Sequence, residues 1–135
     1  MTLRFVFRTI GLALLAMAIG VLCVVLWVAL YSEVIAPGLG EPYYRAYADR
    51  VAPMIGIVTG MPLLLAAGWW AARKAGGGAG WRSGIAVGIA YVIIDLPLLA
   101  MVAGGAIPWG YVALSYVTKI AAAALGGRAS ARQSL

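Results

Sequence analysis

The chain has 135 residues, of which 64% are apolar and only 10% are charged. In a soluble domain charged residues make up about a quarter of the chain, and a domain of this length could not bury so much apolar surface. The net charge is +6, but the basic residues stand at the ends of apolar runs, where they would meet lipid headgroups, so we expect no nucleic-acid partner. The composition therefore predicts an integral membrane protein with the lipid bilayer around it.

The residue types that are missing exclude several kinds of site. Histidine is absent and Cys23 is the only cysteine, so neither an internal disulfide nor a histidine-ligated zinc or haem can form. We therefore expect no metal and no cofactor. Cys23 lies deep in an apolar run, which is typical of a small packing residue with an unreactive thiol.

Four stretches of the chain are long enough and apolar enough to be predicted as membrane spans. They cover residues 9–33, 51–72, 83–105 and 108–127. The first begins like a secretory signal, but it continues far beyond the length of a signal core, so we predict an uncleaved helix. Residues 34–50 then form an outer loop and residues 73–82 a cytoplasmic loop. The predicted fold is all-α, a single transmembrane domain over 1–135 built as a four-helix bundle.

The orientation of this bundle follows from its basic residues. Seven of them lie on the side of loop 73–82 and two on the opposite side. The seven are Arg4, Arg8, Arg73, Lys74, Arg82, Arg128 and Arg132, and the two are Arg45 and Arg50. Cytoplasmic segments carry the excess of Lys and Arg, so both termini are predicted in the cytoplasm. A three-span alternative makes 96–118 one helix through the Gly-Pro sequence at 104–108, but it places the C-terminal arginines outside.

Aromatic residues, which favour the headgroup level, mark both predicted membrane boundaries. Trp69, Trp70 and Trp81 flank the cytoplasmic loop, and Trp27, Tyr31, Tyr43, Tyr44, Tyr47 and Trp109 lie near the outer boundary. The outer loop has Pro42 at a favourable position for a helix start and no breaker before Pro53. This pattern predicts a short interfacial helix that leads into the second span.

Two pairs of glycines with a spacing of four residues favour close helix packing. Gly56 and Gly60 belong to the second predicted span, and Gly84 and Gly88 to the third. Such pairs let helix backbones approach each other in a membrane, where the hydrophobic effect gives no help. We expect the two pairs to contact different neighbours, either inside the bundle or in an oligomer.

Asp95 and Lys119 are the two charged residues inside predicted spans. A charge inside a membrane is costly, so it is usually paired with another group or has a function. Helix rise places Asp95 about 16 Å and Lys119 about 12 Å from the cytoplasmic end. Because the third and fourth helices are expected to be antiparallel neighbours, an Asp95–Lys119 ion pair is the simplest prediction. The hydroxyl groups that could complete this intramembrane polar site belong to Tyr91, Ser115, Tyr116 and Thr59.

Three interpretations of the polar site stay open at this point. The pair can be a structural clasp that fixes helix register. It can be a relay in which Asp95 exchanges protons or binds a cation while Lys119 sets its affinity. Alternatively, Lys119 alone reaches toward the cytoplasmic headgroups and leaves Asp95 protonated.

Glu33 is predicted at the outer surface and not inside the membrane. It lies 25 residues after Arg8, which is about 37 Å of helix and exceeds the roughly 30 Å hydrocarbon core. There we expect an exposed ion pair with Arg45 or Arg50, or contact with an external partner.

Two functions fit these residues. The first is a non-enzymatic membrane subunit or assembly partner, in a homo-oligomer or with another membrane protein. The alternative is a small proton- or ion-coupled transporter that uses Asp95 and Lys119. An enzyme is disfavoured because Asp95 with Tyr91 is the only conceivable acid–base couple. The bias toward alanine, glycine and arginine indicates a bacterial cytoplasmic (inner) membrane.

Overall fold

The computed structural model describes residues 3–75, 80–102 and 109–132, and all regular elements in these ranges are helical. Helix α1 is Leu3–Leu30 and continues into a π-helical turn, Tyr31–Ile35. Helix α2 is Glu41–Ala75, α3 is Gly80–Val102 and α4 is Trp109–Arg132. The predicted all-α class is confirmed.

Three segments are long and apolar enough to cross a membrane: Leu3–Ile35, Glu41–Ala75 and Gly80–Met101. Within the described chain their most apolar stretches are at most 22% buried, so most of this apolar surface lies on the outside of the fold. A surface of this kind needs lipid around it. The chain is therefore a membrane protein. Helix α4 is not among the three segments, and its sequence carries Lys119 and Arg128.

The helices run alternately up and down. Close contacts of Gly80 with Gly127 and of Gly88 with Ile120 show that α3 and α4 are antiparallel. This packing contradicts the continuous helix over 96–118 of the three-span alternative, because two helices lying side by side cannot be one helix. The predicted break at 104–108 and residues 76–79 of the predicted loop lie outside the described residues.

The basic residues of the described chain gather at one end of the bundle and most of its tyrosines at the other. We call the first the basic end, after Arg4, Arg8, Arg73, Lys74, Arg82 and Arg128. We call the second the tyrosine end, after Tyr31, Tyr43, Tyr44 and Tyr47. Because the helices alternate in direction, α1 and α3 start at the basic end whereas α2 and α4 finish there.

The helix predicted in the outer loop is present, but it is not a separate element. It begins at Glu41 and continues through Pro53 and Pro62 to Ala75 without a break. Each proline removes one backbone donor, which a long helix can tolerate where the rest of its hydrogen bonds persist. At about 1.5 Å per residue this helix is about 52 Å long and exceeds the roughly 30 Å hydrocarbon core. Helix α2 is therefore longer than one membrane span requires.

Buried residues are confined to one half of each helix. In the described chain they fall within 9–16 of α1, 60–72 of α2, 80–91 of α3 and 119–130 of α4. All four ranges lie toward the basic end, and we call them the packed half. The remaining parts of the helices, toward the tyrosine end, contain no fully buried residue among those described, and we call them the open half.

Glycines bring the helices together in the packed half. Gly84 and Gly88 pack against the backbone of α4, as their spacing suggested. Of the other predicted pair, Gly60 contacts the side chain of Lys119, whereas Gly56 faces open space. The closest approach of α2 and α4 uses Gly126, which meets the backbone of Leu65. A side chain at such a position would push the two backbones apart.

Tyr44 fastens the segment that joins α1 to α2. Its hydroxyl donates a hydrogen bond to the carbonyl of Ala36 at 2.7 Å and accepts one from the Leu39 backbone N–H at 3.0 Å. Between them Gly38 has a φ of 86°, a left-handed conformation that favours glycine. Tyr44 thus holds the segment 36–39 through its side chain.

Replacing Tyr44 with phenylalanine is expected to loosen this connection while the bundle stays folded. Loss of the two hydrogen bonds should raise the hydrogen-exchange rate of the Leu39 amide about tenfold. Amide exchange measured by NMR or mass spectrometry checks this. Tyr43→Phe is the matched control, because among the described residues the Tyr43 hydroxyl has one hydrogen-bonding contact, with the Tyr31 hydroxyl at 3.3 Å. Equal exchange in both variants would contradict the assigned role of Tyr44.

Candidate functional site

Lys119 lies at the junction of three helices. It belongs to α4, its exposed fraction is 5%, and its hydrocarbon stem packs against Gly60 of α2. Its Nζ donates a hydrogen bond to the Tyr91 hydroxyl of α3 at 3.2 Å. The same nitrogen lies 4.7 Å from the centre of the Tyr91 ring and 5.9 Å from that of Tyr116. Two aromatic rings and one hydroxyl therefore surround the amine inside the protein.

Asp95 lies next to this junction, on the side of the open half. It is half-buried, and its carboxylate accepts a hydrogen bond from the Tyr116 hydroxyl at 2.9 Å. Helices α3 and α4 are thus joined twice, by Tyr91 to Lys119 and by Tyr116 to Asp95.

The predicted direct ion pair between Asp95 and Lys119 is not formed. In the described part of the chain the only ion pair joins Arg45 and Glu41. The reason is the register of the antiparallel helices, which places Asp95 level with Tyr116 and Lys119 level with Tyr91. The two charged residues are therefore about one helical turn, roughly 6 Å, apart in depth. Each contacts a tyrosine hydroxyl at its own level.

Of the other predicted site residues, Thr59 and Ser115 do not join this cluster. The Thr59 hydroxyl donates to the Ile55 carbonyl of its own helix at 2.7 Å. Ser115 is half-buried, and the contact found for it within the described chain is through its backbone carbonyl, which accepts from Thr118 at 2.9 Å. The polar site therefore consists of Asp95, Tyr116, Lys119 and Tyr91, with Gly60 beside them.

The expected ion pair of Glu33 with Arg45 or Arg50 is also not formed. Arg45 instead contacts Glu41, one turn earlier on the same helix, at 3.1 Å, and both side chains are largely exposed. A pair spaced by four residues needs no ordering of the loop, which explains why it prevails. Exposed pairs of this kind contribute about 0.3–0.5 kcal/mol. Glu33 and Arg50 are exposed at the tyrosine end.

The aromatic residues at the tyrosine end contact one another, which the sequence did not predict. Tyr31 stacks on Tyr47 with ring centres 3.8 Å apart, and the Trp27 indole N–H donates to the Tyr47 hydroxyl at 3.0 Å. These contacts tie the end of α1 to the start of α2.

The arrangement at Asp95 limits the chemistry of the site. No group of three or more His, Cys, Asp or Glu residues that could hold a metal occurs among the described residues. A half-buried carboxylate with a tyrosine donor can accept a proton or bind a cation. Lys119 is enclosed by the protein, so its amine is not accessible to a ligand from outside.

No family model matches this chain, and neither a curated protein nor a solved structure matches it.

Replacing Tyr116 with phenylalanine is expected to lower the free energy of unfolding by about 1–3 kcal/mol. The change removes the hydroxyl that donates to Asp95 and leaves a half-buried carboxylate without this donor. Thermal or SDS-induced unfolding of the protein in detergent micelles measures the effect. Tyr111→Phe is the control, since Tyr111 lies on the same helix and is 59% exposed. Equal stability of the two variants would show that the Tyr116 hydroxyl does not support the fold.

Proposed function

We propose that this protein is a non-enzymatic membrane subunit whose open half packs against helices of a partner membrane protein. The observation that carries this proposal is the uneven burial along the helices. The packed half has close backbone contacts, and two tyrosine hydrogen bonds lie where it meets the open half. The open half has exposed apolar side chains and no buried residue on any helix within the described ranges, whereas the packed half combines exposed apolar side chains with buried residues on every helix.

Helix α1 supplies the clearest surface for such a partner. Val21, Leu22, Val25 and Leu26 are each more than half exposed. In a membrane, lipid covers such residues as well as protein does, so exposure alone does not require a partner. The contrast with the packed half supports a protein partner, because this chain packs its helices closely where it has small residues of its own.

The proposed topology has four spans and both termini in the cytoplasm of a bacterial cell, at the inner membrane. The spans are about 9–33, 51–72, 83–105 and 108–127, with a cytoplasmic loop at 73–82 and an outer loop at 34–50. Two observations support a fourth span. Helix α4 has 24 residues, or about 36 Å, and its Lys119 is enclosed by α2 and α3 instead of facing lipid. The excess of basic residues at the basic end supports the orientation.

Site-specific crosslinking tests the partner surface. A photoreactive residue replaces Val25 in the open half, and in a second variant it replaces Leu15 in the packed half. Both lie on α1 and both are 57% exposed, so they differ in position and not in accessibility. We expect the Val25 variant to form a discrete protein adduct in native membranes and the Leu15 variant to form none. The proposal would be refuted if the protomer purifies alone and both variants form adducts with lipid but none with protein.

Accessible cysteines test the topology. On a Cys23→Ala background, Asp49→Cys at the tyrosine end and Ala75→Cys at the basic end offer one thiol each. A membrane-impermeant maleimide applied to intact cells should label the first and not the second. The reverse labelling would overturn the orientation, and labelling of both thiols would show that segment 51–72, the one proposed span between them, does not cross the membrane.

A second candidate function is a small proton- or ion-coupled transporter. One observation favours it: the Asp95 carboxylate is half-buried beside the open half and is not paired directly with Lys119. Purified protein in liposomes would then show a pH-dependent flux that Asp95→Asn abolishes and Asp49→Asn preserves. Absence of flux in the wild-type protein would remove this candidate.

A further inference from the structure

The end of α2 has a cavity that the proposed function does not use. Its volume is about 230 Å³, and it is lined by Trp69, Trp70, Arg73 and Lys74. This is smaller than the roughly 300–1,000 Å³ of pockets that enclose a drug-sized ligand. An occupant of this cavity is therefore a headgroup or a similar fragment, with the rest of its molecule outside.

The cavity has a positive charge that no nearby acidic residue neutralises. The chain has four Asp and Glu residues. Glu33, Glu41 and Asp49 lie at the tyrosine end and Asp95 in the open half. Arg73 and Lys74 are both exposed at the basic end, so two adjacent cations face the surroundings without a carboxylate beside them. A ligand that matches them is an anion.

The guanidinium of Arg73 is held by a neighbouring ring. Its central carbon lies 5.0 Å from the centre of the Trp69 ring, which is within the range of a cation–π contact. A guanidinium against an aromatic face keeps N–H donors at its edge. These donors match two oxygens of a phosphate, and the adjacent Lys74 adds a point charge to the same anion.

Trp70 gives the site an apolar side. It is 53% exposed, next to Arg73 and Lys74 at the end of a helix that is long and apolar enough to cross the membrane. An indole at this level contacts both the headgroup region and the beginning of the acyl chains. The combination of two cations and one exposed indole therefore fits an amphipathic anion better than a fully water-soluble one.

We propose that the end of α2 binds the phosphodiester of an anionic phospholipid, with Arg73 and Lys74 on the phosphate and Trp70 beside the glycerol and acyl chains. The site lies at the opposite end from the surface proposed for a partner protein. Lipid binding at this site is therefore independent of the proposed function, because the lipid binds without the partner protein.

Lipid binding by the purified full chain in neutral detergent tests this site. Phosphatidylglycerol and phosphatidylcholine are titrated separately, and native mass spectrometry measures retention of each lipid. We expect wild-type protein to retain phosphatidylglycerol preferentially. The double variant Arg73→Gln/Lys74→Gln should bind it at least about tenfold more weakly, through loss of charge-assisted hydrogen bonds.

The matched control is Arg45→Gln/Arg50→Gln, which removes the same charge from exposed positions at the tyrosine end. It should change phosphatidylglycerol binding by less than about twofold, and Trp70→Ala should weaken binding although the charge is unchanged. Equal losses in the two double variants would overturn the site in favour of nonspecific attraction. Displacement of the lipid by millimolar inorganic phosphate would overturn the lipid assignment in favour of a soluble phosphate.

Discussion

Replacing Gly126 with alanine is expected to lower the free energy of unfolding by about 2–3 kcal/mol. A methyl group at this position would overlap the backbone carbonyl of Leu65 and crowd the backbone nitrogen of Trp69. Backbone atoms cannot change rotamer to make room, so α2 and α4 must separate. The packed half depends on this contact, and the loss should appear as a lower midpoint in thermal or SDS-induced unfolding.

The control for this prediction is Gly110→Ala on the same helix. A methyl group at Gly110 meets no atom of the described residues within 4 Å, so the change tests helix propensity without crowding from them. Alanine is favoured over glycine in a helix by about 0.5–1 kcal/mol, and we expect Gly110→Ala to be neutral or slightly stabilising. If the two variants unfold at the same midpoint, the close approach of α2 and α4 is not what holds the bundle.

Replacing Lys119 with alanine is expected to lower the free energy of unfolding by about 2–5 kcal/mol. The change removes the stem that packs against Gly60 and the nitrogen that contacts Tyr91, and it leaves a cavity between three helices. Lys119→Met keeps most of the stem and removes the charge. We expect Lys119→Met to cost less than about 1.5 kcal/mol, because an apolar side chain of similar volume can replace a buried charge.

This comparison separates packing from charge at the polar site. If Lys119→Met destabilises the protein as strongly as Lys119→Ala, the charge is essential and its interaction with Asp95 must act across the tyrosines. Asp95→Asn in the Lys119→Met background then provides the check. Recovery of stability in the double variant would show that the two charges interact and act as a structural clasp. Additive effects on stability would show that each residue makes a separate contact.

The helical class and the membrane setting could be predicted from the sequence because both depend on local composition. Long apolar stretches place α3 within about three residues and α1 within about six of their observed bounds, whereas α2 begins at Glu41, ten residues before the predicted span 51–72. The antiparallel arrangement of α3 and α4 follows from their short connection. The continuity of α2 through Pro53 was less evident, since a proline weakens a helix without always ending it. Four spans and their orientation remain predictions.

The residues around Asp95 and Lys119 could be predicted as a group, but their partners could not. Tyr91 and Tyr116 do lie beside the charged residues, one turn away along each helix. Which hydroxyl meets which charge depends on the register of α3 against α4, and that register is fixed by close contacts such as those at Gly84 and Gly88. Counting residues from the presumed membrane surface gives depth too coarsely to decide this.

Contacts at the surface were harder to predict for a different reason. Glu33 had two possible partners in the outer loop, Arg45 and Arg50. Arg45 pairs with Glu41 and not with Glu33, because Arg45 and Glu41 lie one turn apart on α2. The role of Gly60 as the surface beneath Lys119 also needs the arrangement of three helices. Its spacing from Gly56 predicted close packing, but the spacing could not predict that a lysine side chain is the neighbour.

The enclosure of Lys119 has a consequence for how the chain enters the membrane. A segment that carries a lysine near its centre gains little by partitioning into lipid alone. Its favourable surroundings, Gly60 and Tyr91, belong to α2 and α3, which precede it during synthesis. With the four-span topology, α4 would therefore be inserted last and only against helices already in place. Variants that disturb α2 or α3 would then reduce the yield of inserted protein before they affect any activity.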